Sequence, residues 1–427
     1  MDRTEVEAHD RAEEGFEIPG DVRYLIRALE NAGFEAYTVG GCVRDLLLGL
    51  KPHDWDICTS AAPDEIQRVF SSRRMNLAGL KHGTVSVIIS SVMYEITTYR
   101  TDGTYSDHRH PDGVRFVREL REDLARRDFT INAMAYSPSG GLQDPFDGRS
   151  DLRCGRIRCV GRADERFGED ALRMLRALRF SSRFGFPLEE ETAEAIRRRA
   201  KEIHMVAAER IHAELFRMLE GKNCRYAMAA CRELMEQILP SLSGLSRDEY
   251  DDLTDKCDAA GCQPLIRMAL MLSLSCRGGD GEAALVAGNA MESLRSSRAE
   301  TETVAFLVGN RSLILPEDRK AMHRLLLDIP EDRLRCLMRF QALLRSEDPI
   351  VWNRRYQALD LCLAEHPPLS IRDLDIRGTE VAGALNIQGA RIGKILRRML
   401  EMVASEEVPN RKEELLKAGE RMIHEED

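Results

Sequence analysis

An α+β protein is predicted, an α/β head followed by a long all-α region, and three observations carry the prediction. Residues 21 to 150 alternate strand-like and helix-like stretches. After about Asp151 the strand signals nearly vanish. Amphipathic helical spacing then continues almost to the end of the 427 residues, too long a chain for one compact core.

In the first part, "VRYLIRALENAG" has helical spacing and stops at Gly33, "EAYTVGG" is strand-like, and "CVRDLLLGL" is a short helix halted before Pro52. "WDICT" is expected as a strand, and "PDEIQRVF" as a helix opened by Pro63. "GTVSVIIS" and "VMYEITTYR" are two β-branched runs around a Ser-Ser turn, a hairpin pattern. "YRTDGTYSDHRHPDGVRF" is polar and unpatterned, and is expected to be a mobile loop. Beyond Asp151, "EDALRMLRALRFSSRFG", "EEETAEAIRRRAKEI" and "AERIHAELFRMLEGK" are amphipathic helices, and "SCRGGDGEAA" and "SIRDLDIRGTE" are connections.

Hydrophobic residues at 43% and charged residues at 31% describe an ordinary soluble chain, with no run approaching the ~18 apolar residues of a membrane span. The charged start, "MDRTEVEAHDRAEEGFE", fits neither a secretory signal nor a basic transit peptide. Eleven cysteines without a CxxC pair suit a reduced compartment, so a cytoplasmic location is expected, with no membrane partner. A net charge of −10 opposes a polyanionic partner only mildly, because charge acts locally. Residues 151 to 201 hold thirteen Arg/Lys against nine Asp/Glu, and twelve of the thirteen are arginine. Arginine forks match phosphates and base edges.

The chemistry concentrates in "TVGGCVRDLLLGLKPHDWDICT", residues 38 to 59. Asp54 and Asp56 stand at i and i+2, which on a strand places both carboxylates on one face, within reach of one cation. Two acids so close repel unless a Mg²⁺ neutralises them, the arrangement used for two-metal nucleotidyl transfer. Glu95, mid-strand among β-branched neighbours, is placed to be the third acid. Gly40 and Gly41 close the strand before a helix whose N-terminal amides suit phosphate, and Arg44 adds charge there. In "EDLARRDFTINAMAY", Arg126 or Arg127 is expected on phosphates, with Asp128 and Asn132 near the sugar.

In the basic helix, Ala171, Met174, Leu175 and Leu178 share one face, while Arg173, Arg176, Arg179 and Arg183 gather on the other. Asp170 lies at the seam, one turn from Arg173 and able to pair with it.

"VGGCVRD…DWD", "YEITTYR", "LARRDFTINAMAY", "DPFDG" and "EDALRMLRALRFSSRFGF" occur in this order, and with them the chain resembles the class II (bacterial-type) CCA-adding tRNA nucleotidyltransferases of the tRNA nucleotidyltransferase/poly(A) polymerase family. The tail "IGKILRRMLEMVASEEVPNRKEELL" is also similar to that family's C-terminal segment. The resemblance implies a polymerase-β-like nucleotidyltransferase α/β head followed by an all-α neck, body and tail, in a seahorse shape. Carried onto this chain, it implies an N-terminal extension at 1–20, a catalytic head at 21–150, a base-selecting neck at 151–225, a body at 226–335 and a tRNA-binding tail at 336–427. Asp54 and Asp56 match the Mg²⁺ carboxylates and Glu95 the acid that helps activate the primer hydroxyl. Gly41 and Arg44 match triphosphate contacts. Arg176 and Arg179 match groups facing nucleotide or phosphate. Substrates would be tRNA, CTP and ATP, with no obligate protein partner.

The same resemblance assigns base choice to Asp170 and Arg173. Asp170 accepts from the exocyclic amine that cytosine and adenine share, and Arg173 donates to a ring nitrogen or carbonyl. Uracil and guanine offer a carbonyl there and leave the acid unmatched, a cost of about 1–3 kcal/mol. An A-adding enzyme or a poly(A) polymerase shares the head motifs. A non-catalytic RNA-binding protein would have no need of three clustered acids. A metal phosphohydrolase would need a second His-Asp cluster, which the helical half lacks. The loop after Glu95, with Arg100, His108, Arg109 and Arg115, is the expected lever for changing pocket size between C and A addition.

Overall fold

The computed structural model describes residues 16–103 and 113–426. His108 and Arg109 lie outside the described residues. The chain divides into two compact units, one running to Pro264 with Ser293–Ser296, the other Leu265–Glu292 with Ser297 onward. The division at Leu265 falls inside the stretch that the family pattern assigns to the body.

The first unit opens with helix α1 (Gly20–Asn31), whose Val22, Leu25, Ile26 and Leu29 recur at helical spacing and are buried together. Gly33, at φ +88°, lets the chain turn back into strand β1 (Ala36–Val39). Helix α2 (Gly41–Leu47), strand β2 (Ile57–Thr59) and helix α3 (Pro63–Val69) follow. The start of α3 is closed by Glu65, whose carboxylate accepts from the Ala62 amide at 2.6 Å.

Strands β3 (Arg74–Asn76), β4 (Thr84–Ile89) and β5 (Val92–Thr98) complete one side of a mixed sheet. Ser90 and Ser91 both have positive φ, 49° and 67°, as the two-residue hairpin between β4 and β5 requires. Both ends of the stretch expected to be an unpatterned loop instead form a ribbon, β6 (Arg100–Asp102) against β7 (Val114–Phe116), with Arg100 opposite Phe116.

Helix α4 (Leu120–Ala125) leads to two strands the sequence pattern does not announce, β8 (Ala135–Ser137) and β9 (Gly141–Gln143). Three residues are too few to display a period. The sheet order is β3-β4-β5-β2-β1-β8-β9, with only β2 and β5 parallel.

From here the chain is helical: α5 (Gly148–Arg153), α6 (Ala163–Glu169), α7 (Leu172–Phe184), α8 (Glu190–Arg199) and α9 (Ala208–Leu219). A Cβ on Gly148 would stand 2.2 Å from the Thr130 carbonyl, so only glycine lets α5 lie against that backbone. Helix α7 buries Leu172, Met174, Leu175, Ala177, Leu178 and Phe180 and packs along α9. On its arginine side Arg183 is exposed, but Arg173, Arg176 and Arg179 are partly covered, held by Glu169, Asp128 and Glu214.

Helices α10 (Cys224–Ala230), α11 (Arg232–Ile238) and α12 (Arg247–Ala259) close the first unit, and α13 (Pro264–Leu274) begins at its boundary. The second unit is helical among its described residues. Near its end Val381, Ile395, Leu396, Met399, Leu400 and Leu415 form one core. No described helix is long and apolar enough to cross a membrane. None of the eleven cysteines forms a disulfide.

Candidate active site

The two acids of the Asp-x-Asp motif sit just before β2, not within it: the strand begins only at Ile57, and both Asp54 and Asp56 are exposed. Asp56 is still held in extended register by its carbonyl, which accepts from the Val39 amide at 3.0 Å. Its carboxyl is raised above the usual range, first by desolvation among surrounding protein atoms and further by the charge of Asp54, with Arg127 opposing. A carboxyl raised in part by a neighbouring acid is suited to a cation beside it.

Glu95 lies in β5 and is exposed, so the burial expected from its β-branched neighbours is not found. Those neighbours line the opposite face, where Tyr94 and Ile96 are buried. The parallel register sets Ile57 beside Ile96. One step back along it places Asp56 beside Glu95, with both side chains on the same face. Among the described residues, no three His, Cys, Asp or Glu gather closely enough to hold a metal ion by themselves.

Gly40 takes φ +82° and ψ −125°, a conformation open to glycine, and its missing side chain leaves room for Arg127: a Cβ there would be 2.9 Å from Nη1. Gly41, the residue matched to phosphate contact, begins α2 in ordinary geometry.

Arg44 does not reach out from the first turn as expected. It is 4% exposed, pairs with Asp45 at 2.6 Å, and lies against the rings of Phe180 and Phe184 at 5.3 and 5.0 Å. Its Nη1 donates to Asn132 Oδ1 at 2.6 Å. Asn132 Nδ2 donates to Asp128 Oδ1 at 3.0 Å, and Arg176 donates to Asp128 Oδ2 through Nε and Nη2 at 2.9 and 2.6 Å. A chain of buried polar contacts therefore runs from α2 to α7. Burial alone would raise the Asp128 carboxyl, but Arg176 and Asn132 hold it far below the usual carboxylate range.

A cavity of about 470 Å³ opens beside this chain, lined by Arg126, Arg127, Asp128, Asp170, Leu172, Arg173, Arg176, Arg210, Ala213 and Glu214. Six residues singled out from the sequence, on two separate segments, meet there. Asp170 and Arg173 both line it. The Asp170 carboxylate is held by Arg210 at 2.7 Å and accepts from the Leu172 amide at 3.1 Å. Arg173 pairs with Glu169 and donates to the Arg126 carbonyl at 3.2 Å. Asp170 is in extended conformation at the mouth of α7, where its carbonyl accepts from the Arg173 amide at 3.0 Å while its carboxylate turns to Arg210.

Arg179 lies outside the cavity lining, against Glu214 at 2.9 Å, and burial pulls its guanidinium down to about 10. Arg210 and Glu214 of α9 were missed. At i and i+4 with opposite charge they read in one sequence as a solvent-side ion pair, and only the packing of α9 on α7 turns them inward.

Residues 36–158 match the family described as the poly A polymerase head domain, and residues 185–245 match the one described as a probable RNA and SrmB-binding site of polymerase A. The CCA-adding enzyme of Ligilactobacillus salivarius is 48% identical over 239 residues, 55% of this chain and 58% of that protein. That of Latilactobacillus sakei is 52% identical over 197 residues, 46% of this chain and 49% of that one. The matched region thus spans only about half the length of these curated relatives. The Bacillus stearothermophilus CCA-adding enzyme, in complex with CTP, has a TM-score of 0.77 at 28% identity and covers 96% of this chain and 99% of that one. The Thermotoga maritima CCA-adding enzyme, complexed with tRNA, shares the fold at a TM-score of 0.68 and 21% identity, covering 97% and 98% of the two chains. With the Asp-x-Asp turn and the arginine-lined cavity, residues 36–158 thus match the poly A polymerase head family and residues 185–245 its RNA-binding family, on a chain that shares the fold of the solved CCA-adding enzymes.

Proposed function

We propose that this protein is a CCA-adding tRNA nucleotidyltransferase, which adds C, C and A stepwise to a tRNA 3′ end from CTP and ATP, without a nucleic-acid template, releasing pyrophosphate. The observation that carries the proposal is the cavity. It is lined by Asp170, an acceptor, and by the donors Arg173, Arg176, Arg126 and Arg127, of which Arg127 also acts on the charge of Asp56. A relative whose solved structure holds CTP supports it.

Asp54 and Asp56 would hold Mg²⁺. Their mutual repulsion fits a cation, and the two-carboxylate set suits an ion that takes its remaining ligands from triphosphate and water. Bound there, the ion supplies positive charge against the triphosphate and the incoming hydroxyl. Arg126 and Arg127 would bind the phosphates, and Glu95, beside Asp56, would orient the primer 3′-hydroxyl and take up its proton. Asp170 would accept from the amine of cytosine or adenine while Arg173 donates to the ring edge. Asp128 fixes the Arg176 guanidinium, so the wall keeps its shape when empty. Residues from 226 onward would grip tRNA through sugar and phosphate.

The test is to incubate the protein with tRNAs lacking CCA, lacking only A, and complete, offering all four nucleotides, and to sequence the 3′ ends. CCA restored on the first and A on the second is the expected result. Extension of the second substrate alone would establish A-only addition, and no extension of either would overturn the proposal.

A further inference from the structure

Asp123 has no part in the reading above, yet it is fully buried and joins three elements. Its Oδ1 accepts from Arg126 Nε at 3.0 Å, its Oδ2 faces Arg127 Nη2 at 3.4 Å, and Oδ1 also accepts from the Arg100 backbone amide at 3.3 Å, at the foot of the β6–β7 ribbon. Both arginines line the cavity. Arg127 is fixed from its other side by the open space over Gly40, where Nη1 lies. Burial opposes its charge, but the carboxylates of Asp123, Asp56 and Asp128 keep it protonated. Its Nε is buried and has no hydrogen-bond partner. An arginine set between the carboxylate turn and the cavity, with a donor still unmatched, is arranged for an anionic ligand that spans the two.

We propose that Asp123 is a positioning residue for the phosphates of the incoming nucleotide: it aims Arg126 and Arg127 as a pair at the triphosphate and ties that pair to the β6–β7 ribbon. The inference rests on the nucleotide-binding reading of the cavity. Two flexible cations with no buried anchor would swing toward Asp54 and Asp56 or into solvent. One buried acid that takes a hydrogen bond from each holds both in a fixed direction and lowers the ordering cost when the ligand arrives. A residue that serves only the fold would affect all ligands of the cavity alike. One that aims phosphate-binding groups affects them in proportion to their phosphates.

The test is CTP, CMP and UTP binding by calorimetry to the full-length wild type and to Asp123→Asn. Wild type is expected to bind CTP more tightly than UTP; if it does not, the nucleotide reading fails, and this inference with it. Given that preference, Asp123→Asn should weaken CTP binding about 10- to 100-fold while CMP binding changes less than about threefold. Equal loss of CTP and CMP, or no loss of CTP, overturns the inference alone. Should Asp123→Asn fail to fold, hydrogen exchange on the wild type decides. CTP, but not CMP, should slow exchange at the Arg100 amide, and an unchanged rate would sink the proposed link.

Discussion

Replacing Asp128 by Asn tests the buried chain that joins the sheet to α7. The residue is 8% exposed and accepts from Arg176 twice, from Asn132, and from the Phe129 amide at 2.8 Å. Asparagine keeps an acceptor for Asn132 and the amide but turns its NH₂ toward a guanidinium, donor against donor. Leaving one partner of a buried ion pair uncompensated costs about 3–5 kcal/mol.

With a urea dependence near the upper end of about 1–3 kcal/mol/M, the first unit's transition should move down by roughly 1–2 M. The second unit, which does not contain these residues, should unfold as before. The pH dependence has a definite sign. The folded carboxyl is depressed, so its contribution is complete above the unfolded value of about 3.9 and is lost as pH falls through the folded value. The deficit of Asp128→Asn should therefore be constant from about pH 5 to 9 and shrink only below about pH 4. Urea titrations of both proteins across that range check this. A deficit under about 1 kcal/mol, or one that varies between pH 5 and 9, would refute the buried-pair account.

Asp54→Ala should abolish nucleotide addition while tRNA binding persists; near-normal turnover would remove the metal role. Asp170→Asn should reduce the preference for CTP over UTP by about 10- to 100-fold, read by competitive incorporation, and an unchanged ratio would place base choice elsewhere. Gly40→Ala brings a Cβ to 2.9 Å from Arg127 in a glycine-only conformation, so it should lower stability by about 1–3 kcal/mol and weaken CTP binding; a neutral outcome in both would show that Arg127 is not held there. If the helical region grips phosphates, tRNA affinity measured at rising salt should fall along a straight line in log–log form, and a flat response would exclude that grip.

Much of this site is written in short-range pattern. The glycine turn, the Asp-x-Asp spacing and the arginine clusters are separated by a few residues, and their chemistry follows from residue type and local period. The order of helices from α6 onward is legible for the same reason, since an apolar stripe at helical spacing needs no distant partner to be recognised. Strands β8 and β9 were not legible. Three residues carry no period; the free edge of β1, about a hundred residues away, makes β8 a strand, and β9 then pairs on β8.

Partners were legible only where they are neighbours in the chain. Asp170 and Arg173 stand three apart at the start of α7, but Arg210 and Glu169, the base and acid that hold their side chains, come from α9 and α6. Arg44 looks like a free charge on a first turn, but Phe180 and Phe184 lie against it from across the fold. Arg210, Glu214 and Asp123 look like ordinary charges on amphipathic helices. The sequence alone determined which chemical groups this protein carries and the local elements that bear them. Tertiary packing decided which charges are buried and which acid faces which arginine, because desolvation and ion pairing depend on distances between segments that local periodicity does not encode.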